Sequence, residues 1–246
     1  MRIRLRSPSR KVPHDSVQAR SRCALSKFPI GDYYPPGIAS ANESTEMTQK
    51  ELRAERQADA RQIASIEARM DDLLRVGKQL EESERGAMPQ PAASKCREGS
   101  TEEFWVSTMM NSGSVAFTGH AAIVSSRCQT TIESYAKRYS PIKKDGVQRY
   151  GNSWRTRPKA FLLRPKRQSA AKYRAVAKYA EGKVGRPYNW SFINKKTEKK
   201  FYCSQLVWRA WLKQGIDIEE GSIPNKAVTP ADLVNSSNTY IVWRNK

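Results

Sequence analysis

Past residue 100 the sequence breaks into short apolar runs separated by Ser- and Gly-containing punctuation, and then into two stretches with helical spacing. That order restricts the fold to a mixed sheet-and-helix, α+β, domain. EEFWVS, VAFTGHAAIV and TTIESY read as strands divided by NSGS and SSRCQ, and KAFLLRP is a further run of strand type. In SAAKYRAVAKYAEGKVG, Tyr173, Val176, Ala177 and Ala180 recur at helical spacing before a glycine. GRPYNWSFINKKTEKKF reads as a loop leading to FYCSQLVWRAWLKQG, where Cys203, Leu206, Val207, Ala210 and Trp211 share a helical face closed by Gly215. TPADLVNSS and TYIVW read as a helical turn and a last strand.

The segments before this domain are of another kind. Residues 1–46 mix Arg, Ser and Pro with no sustained period and read as a disordered basic tail. Residues 47–85 contain no proline, and Leu52, Ile63, Ile66, Met70, Leu73 and Leu80 fall on one three-four stripe. This predicts an amphipathic helix or short coiled coil. Arg56, Asp59 and Gly77 interrupt the seam, which favours packing on a protein partner or a hairpin at Gly77 over a long stable dimer. AMPQPAASK, within residues 86–100, reads as a linker, and the globular domain is expected over 101–246.

Charge follows the same division. The formal net charge is +20; residues 101–246 carry 26 Lys and Arg against 10 Asp and Glu, whereas residues 1–100 carry 18 against 14. A basic surface attracts polyanions without selecting one. No run approaches the roughly 18 apolar residues of a membrane span, and the N-terminus has no apolar segment of signal-peptide type. Cys23, Cys96, Cys128 and Cys203 form no CxxC pair, and the only histidines are His14 and His120. Such spacing speaks against a structural zinc site and against a disulfide framework.

Two side chains carry possible chemistry. Cys203 opens an apolar helix after a polar loop, where the positive helix end favours thiolate and the backbone N–H can serve an oxyanion. An inert core cysteine is the alternative. His120 follows a glycine inside an apolar strand, and Glu133 on the next strand can fix its tautomer. A structurally satisfied histidine is the alternative there.

The motifs GSVAFTGHAAIV, IES, DGVQRYGNSW, GRPYNWSFINKKTEKKFYCSQLVWRAW and TPADLVNSSNTYIV together resemble the circularly permuted papain-fold cysteine hydrolases of the NlpC superfamily. The likeness is to the YaeF/YiiX-like branch and its YycO-type members, and it spans about residues 104–243. It implies a permuted papain-like domain with Cys203 as nucleophile, His120 as general base and Glu133 as the residue that orients it. It further implies an amidase or peptidase that needs no cofactor, acts on peptidoglycan or another cell-envelope amide or ester, and is secreted or envelope-associated. Tyr188, Trp190 and Tyr202 are the expected substrate-binding side chains. Two departures stand out: EGSTEEFWVST lacks the family's Gly-Asp strand start, leaving the first strand's edge geometry open, and Asn189 follows Tyr188 where the family often has Asp.

The rival reading is a weak or inactive module that binds a polyanion. Lys195, Lys196, Lys199 and Lys200, interleaved with Trp190, Phe192, Phe201 and Tyr202, suit stacking and phosphate neutralisation. A solvated basic loop is favoured over it, and nucleic acid is not the expected partner.

Overall fold

The computed structural model describes residues 48–84, 103–109, 117–221 and 226–245. The expected tail and linker lie outside these residues. Thr48 starts the first helix by a reciprocal cap: its hydroxyl accepts from the Glu51 N–H at 3.3 Å, and the Glu51 carboxylate accepts from the Thr48 N–H at 2.7 Å. Helix α1 runs Gln49–Ala68, the helix is interrupted at Arg69, and α2 continues over Met70–Glu84.

The hairpin expected at Gly77 does not form. Gly77 lies inside α2, and its missing side chain has another purpose: a Cβ there would stand 1.9 Å from the Ile241 carbonyl oxygen. Glycine lets α2 lie against the backbone of the last strand. Leu52, Ile66 and Met70 join the main hydrophobic core of the domain, so the apolar stripe expected to meet a partner or form a coiled coil is covered by this chain itself.

Six antiparallel strands follow: β1 Phe104–Ser107, β2 His120–Val124, β3 Thr130–Tyr135, β4 Gly146–Gly151, β5 Ala160–Pro165 and β6 Thr239–Arg244. They order as β4-β3-β2-β1-β5-β6. Strand β1 is therefore interior, and it is buried along its whole length. The missing strand-start motif leaves no edge exposed here. Instead Glu103, buried just before β1, pairs with Arg164 on β5, which also reaches Glu81 of α2 at 3.0 Å. Strand β4 was not expected; its two glycines and polar Gln148 and Arg149 hide the period, and pairing with β3 decides its state.

Both faces of the sheet are covered. Phe104 and Val106 enter the main core, with helices α3 (Ala170–Glu181), α4 (Cys203–Leu212) and α5 (Pro230–Asn235). Trp105, alternating with them, points to the other face and joins Ala122, Val124, Trp154 and Leu162 in a second cluster. Helix α4 packs on β2 and β3, α1 on α5, and α2 on β6.

Replacing Gly77 by Ala should therefore destabilise the protein although alanine is the better helix former. A loss of about 1–3 kcal/mol in urea unfolding is expected from forcing α2 off β6; unchanged or higher stability would show that the close approach is not needed.

Candidate active site

The start of α4 is built by a glutamine. The Gln205 side chain accepts from the Tyr202 N–H at 3.1 Å and from Asn189 Nδ2 at 2.9 Å, and its own amide donates to the Lys195 and Thr197 carbonyls at 3.1 and 3.2 Å. These bonds tie the loop before α4 to its first turn. Ser204 adds a bond to the Val228 carbonyl at 2.7 Å. Cys203 is thereby fixed as the first helical residue, fully buried, with its thiol at the positive end of the helix.

His120 is the first residue of β2, opposite Ser107 of β1. The preceding Gly119 has φ +105°, and a Cβ on it would meet the Ser107 carbonyl oxygen at 2.4 Å and Pro230 at 3.0 Å. Only glycine fits both the angle and the space. The imidazole is held on two sides by rings, Tyr135 stacking at 3.9 Å and Trp154 at 5.7 Å between centroids. Its Nε2–H donates to Glu133 Oε2 at 2.8 Å. That leaves Nδ1 as the nitrogen able to exchange a proton with Cys203. Burial pushes the imidazole pKa down, but hydrogen bonding and charge interaction with Cys203 and with Glu133 outweigh burial and raise it.

Glu133 has no exposure and four kinds of donor around it. Besides His120, its carboxylate accepts from Trp154 Nε1 at 3.0 Å, from the Thr131 hydroxyl, and from Arg157 through NH1 at 3.0 Å and NH2 at 3.3 Å. The Arg157 guanidinium lies 4.2 Å over the Trp154 ring. Burial pushes the Glu133 pKa up, but the Arg157 charge and the His120 hydrogen bond hold the carboxyl well below its usual range. Glu133 is thus an anion whose charge a partly buried arginine balances.

The structure brings Cys203, His120 and Glu133 together. It places the three expected substrate-binding residues differently from one another. Tyr202 caps α4 with its backbone and turns its ring into the core, where its hydroxyl donates to the Phe192 carbonyl at 3.2 Å and accepts from the Val228 N–H at 3.0 Å. Tyr202 is thus as buried as Cys203 and His120. Tyr188 is buried, packed edge-on at 5.0 Å against Trp190, and Trp190 is 41% exposed and presents its ring to solvent. Asn189 is buried, and its amide donates to Gln205 and to the Asn194 carbonyl at 3.2 Å, bonds that an ionised aspartate could not donate.

Trp154, Arg157, Thr131 and Tyr135 are the site residues that sequence reasoning missed. Trp154 had a visible signal in GNSW; Arg157 follows in a short polar stretch with no period to mark it. Cys128 is disulfide-bonded, a single bridge where the spacing spoke only against a framework of them, and Cys203 takes no part in a disulfide. Among the described residues no group of three His, Cys, Asp or Glu side chains gathers as a metal would require, and no helix is long and apolar enough to cross a membrane.

A family model described as permuted papain-like amidase enzyme, YaeF/YiiX, C92 family, matches residues 101–242, more than half of the chain. The chain is also similar to the uncharacterized protein YycO of Bacillus subtilis (strain 168), 31% identical over 105 residues, or 41% of this chain and 42% of that protein. The chain thus spans about two fifths of that relative's length. No solved structure matches.

Arg157→Met should leave a buried carboxylate without its counter-charge, costing about 3–5 kcal/mol at neutral pH. The sign of the pH dependence is fixed by the direction of the Glu133 shift: a depressed folded pKa stabilises the protein above the ordinary carboxylate range and loses that contribution as pH falls. The difference between wild type and Arg157→Met should be largest above about pH 5 and narrow toward acid. Denaturant unfolding across pH measures it, and a constant difference would refute the charge-balancing role.

Proposed function

The chain belongs to the permuted papain-like amidase family, and from that premise we propose that it is a cysteine hydrolase working through a Cys203–His120–Glu133 triad. The bond from His120 Nε2 to Glu133 Oε2, at 2.8 Å, carries this reading, because it leaves Nδ1 as the ring nitrogen for proton exchange while His120 interacts electrostatically with Cys203.

In the proposed reaction the Cys203 thiolate attacks an amide or ester carbonyl, forming a carbon–sulfur bond and an oxyanion. The backbone N–H of Cys203, at the start of α4, is the candidate oxyanion donor. His120, as imidazolium, gives its Nδ1 proton to the departing nitrogen or oxygen; the carbon–heteroatom bond breaks and a thioester remains. Water attacks the thioester with His120 now accepting its proton, the acid is released, and the thiolate with its imidazolium is restored. Glu133 keeps Nε2 protonated throughout and stays ionised under the charge of Arg157. No step calls for a cofactor.

The proposed substrate is a peptidoglycan peptide or another cell-envelope amide, reasoned from the family and from the basic domain, which suits an anionic envelope. The polyanion-binding alternative loses support from its own residues. Phe192, Phe201 and Tyr202 are buried, and Lys195 is buried against Glu219 with contacts of 2.5 and 2.7 Å.

Cys203→Ser should retain the fold and lose hydrolysis of peptidoglycan peptides, since an alcohol supplies no thiolate. Turnover above roughly a tenth of wild type would remove Cys203 as nucleophile. Glu133→Gln should lower turnover by about 10²- to 10⁴-fold by analogy with other triads, and unchanged kinetics would remove Glu133 from the site.

A further inference from the structure

The segment that delivers His120 is pinned from outside the family-matched region. Asp59 sits in the middle of α1, well before residue 101 where the match begins, and is 2% exposed. Its Oδ2 accepts from the Thr118 N–H at 2.7 Å, and Thr118 is separated from His120 only by Gly119. Gly119 is squeezed between the Ser107 carbonyl and Pro230. Three elements therefore converge on the approach to the catalytic strand: the end of β1, the start of α5 and the middle of α1.

A buried carboxylate is an expensive way to fasten a helix to a core. The fastening does not need it: Gln62 of α1 already bonds Asp232 of α5 at 2.7 Å, Arg69 bonds Asn235 at 3.0 Å, and Leu52 and Ile66 are buried. What Asp59 adds is an acceptor for one particular amide. We propose that Asp59 is a positioning residue for His120, holding the Thr118 amide so that the imidazole leaves β2 in line with Cys203. The role in catalysis rests on the Cys–His reading above.

The charge of Asp59 bears on this role. Burial pushes its pKa up to about 6, the Thr118 bond opposes the rise, Asp232 and Glu55 add to it, and Lys226 opposes it. Those are the charged groups facing it: Glu55 from its own helix, Asp232 from α5, and Lys226 from the segment before α5. A carboxylate accepts more strongly than a carboxylic acid, so the hold on Thr118 tightens as pH rises through about 6. Stability moves the other way: a folded pKa above the ordinary value favours the protonated form, and ionisation of Asp59 lowers stability as pH rises toward neutrality.

The test uses full-length protein labelled with 15N at backbone and histidine, compared as wild type, Asp59→Asn and Asp59→Leu. The chain's two histidines, His14 and His120, keep the imidazole spectrum simple. In wild type the Thr118 amide should shift with a midpoint near pH 6. Asp59→Asn, which offers an acceptor at every pH, should abolish that step, unfold at a higher temperature at neutral pH, and keep hydrolysis of p-nitrophenyl acetate within about threefold. Asp59→Leu should move the His120 imidazole signals and lower kcat on the same ester by roughly ten- to a hundredfold with little change in KM. Should Asp59→Leu fail to fold, Asp59→Ala takes its place for the His120 signals and kcat, and wild-type values of both in it would overturn the proposal. Wild-type-like Thr118 and His120 signals in the variants from pH 5 to 8 would overturn the proposal. Failure of the Cys–His reading would show separately, as His120 signals that do not respond when Cys203 is replaced by Ser in the otherwise wild-type chain.

Discussion

A carboxylate with no exposure to water, Glu133, sets the terms for the elements around it. An isolated charge at that depth would neutralise itself by taking a proton. Here it stays ionised because each neighbouring element contributes a donor: β2 the imidazole of His120, β3 its own Thr131, and the short turn at Trp154–Thr156 the indole of Trp154 and, just beyond it, the guanidinium of Arg157. The register that sets Glu133 beside Ala122 brings His120, at the start of the same strand, within reach. The stack of Trp105, Trp154, His120 and Tyr135 supplies the apolar wall that makes the site dry. Removing water strengthens each of these interactions and makes each loss costly.

The helices before the domain take part in the same construction. Asp59, which interrupts the apolar seam, has a specific partner, and so do other polar residues of these helices. Asp59 meets Thr118, Glu84 receives the Arg167 N–H at 2.8 Å and the Tyr240 hydroxyl at 3.1 Å, and Glu67 pairs with Lys159. An imperfect stripe can mean that a helix packs on a surface of mixed polarity within its own chain, where Asp59 and Gly77 each answer a backbone group on the other side.

Much of this was legible beforehand because it depends on local pattern. Short apolar runs in EEFWVS, KAFLLRP and TYIVW gave β1, β5 and β6, the stripe from Cys203 to Trp211 gave α4, and the short distance in sequence between His120 and Glu133 made their pairing on adjacent strands a natural expectation. Other features depend on contacts distant in sequence. Strand β4 exists because β3 offers a ladder to it. Arg157 matters because a tight turn at Trp154 carries it onto Glu133, and Gly77 matters because of Ile241, a residue near the other end of the chain. Burial of Tyr202 was hidden because it follows the polar, lysine-rich loop, whereas the ring fills the core and its backbone serves the helix start.

The contact between α2 and β6 joins the earliest described segment to the last strand, and this has a consequence for biosynthesis. The face of α2 that carries Gly77 leaves the ribosome long before Ile241 exists to meet it. At about 5–20 residues per second the interval is on the order of ten to thirty seconds. Throughout that time α2 lacks the strand it lies against, so this contact is among those that form late in synthesis.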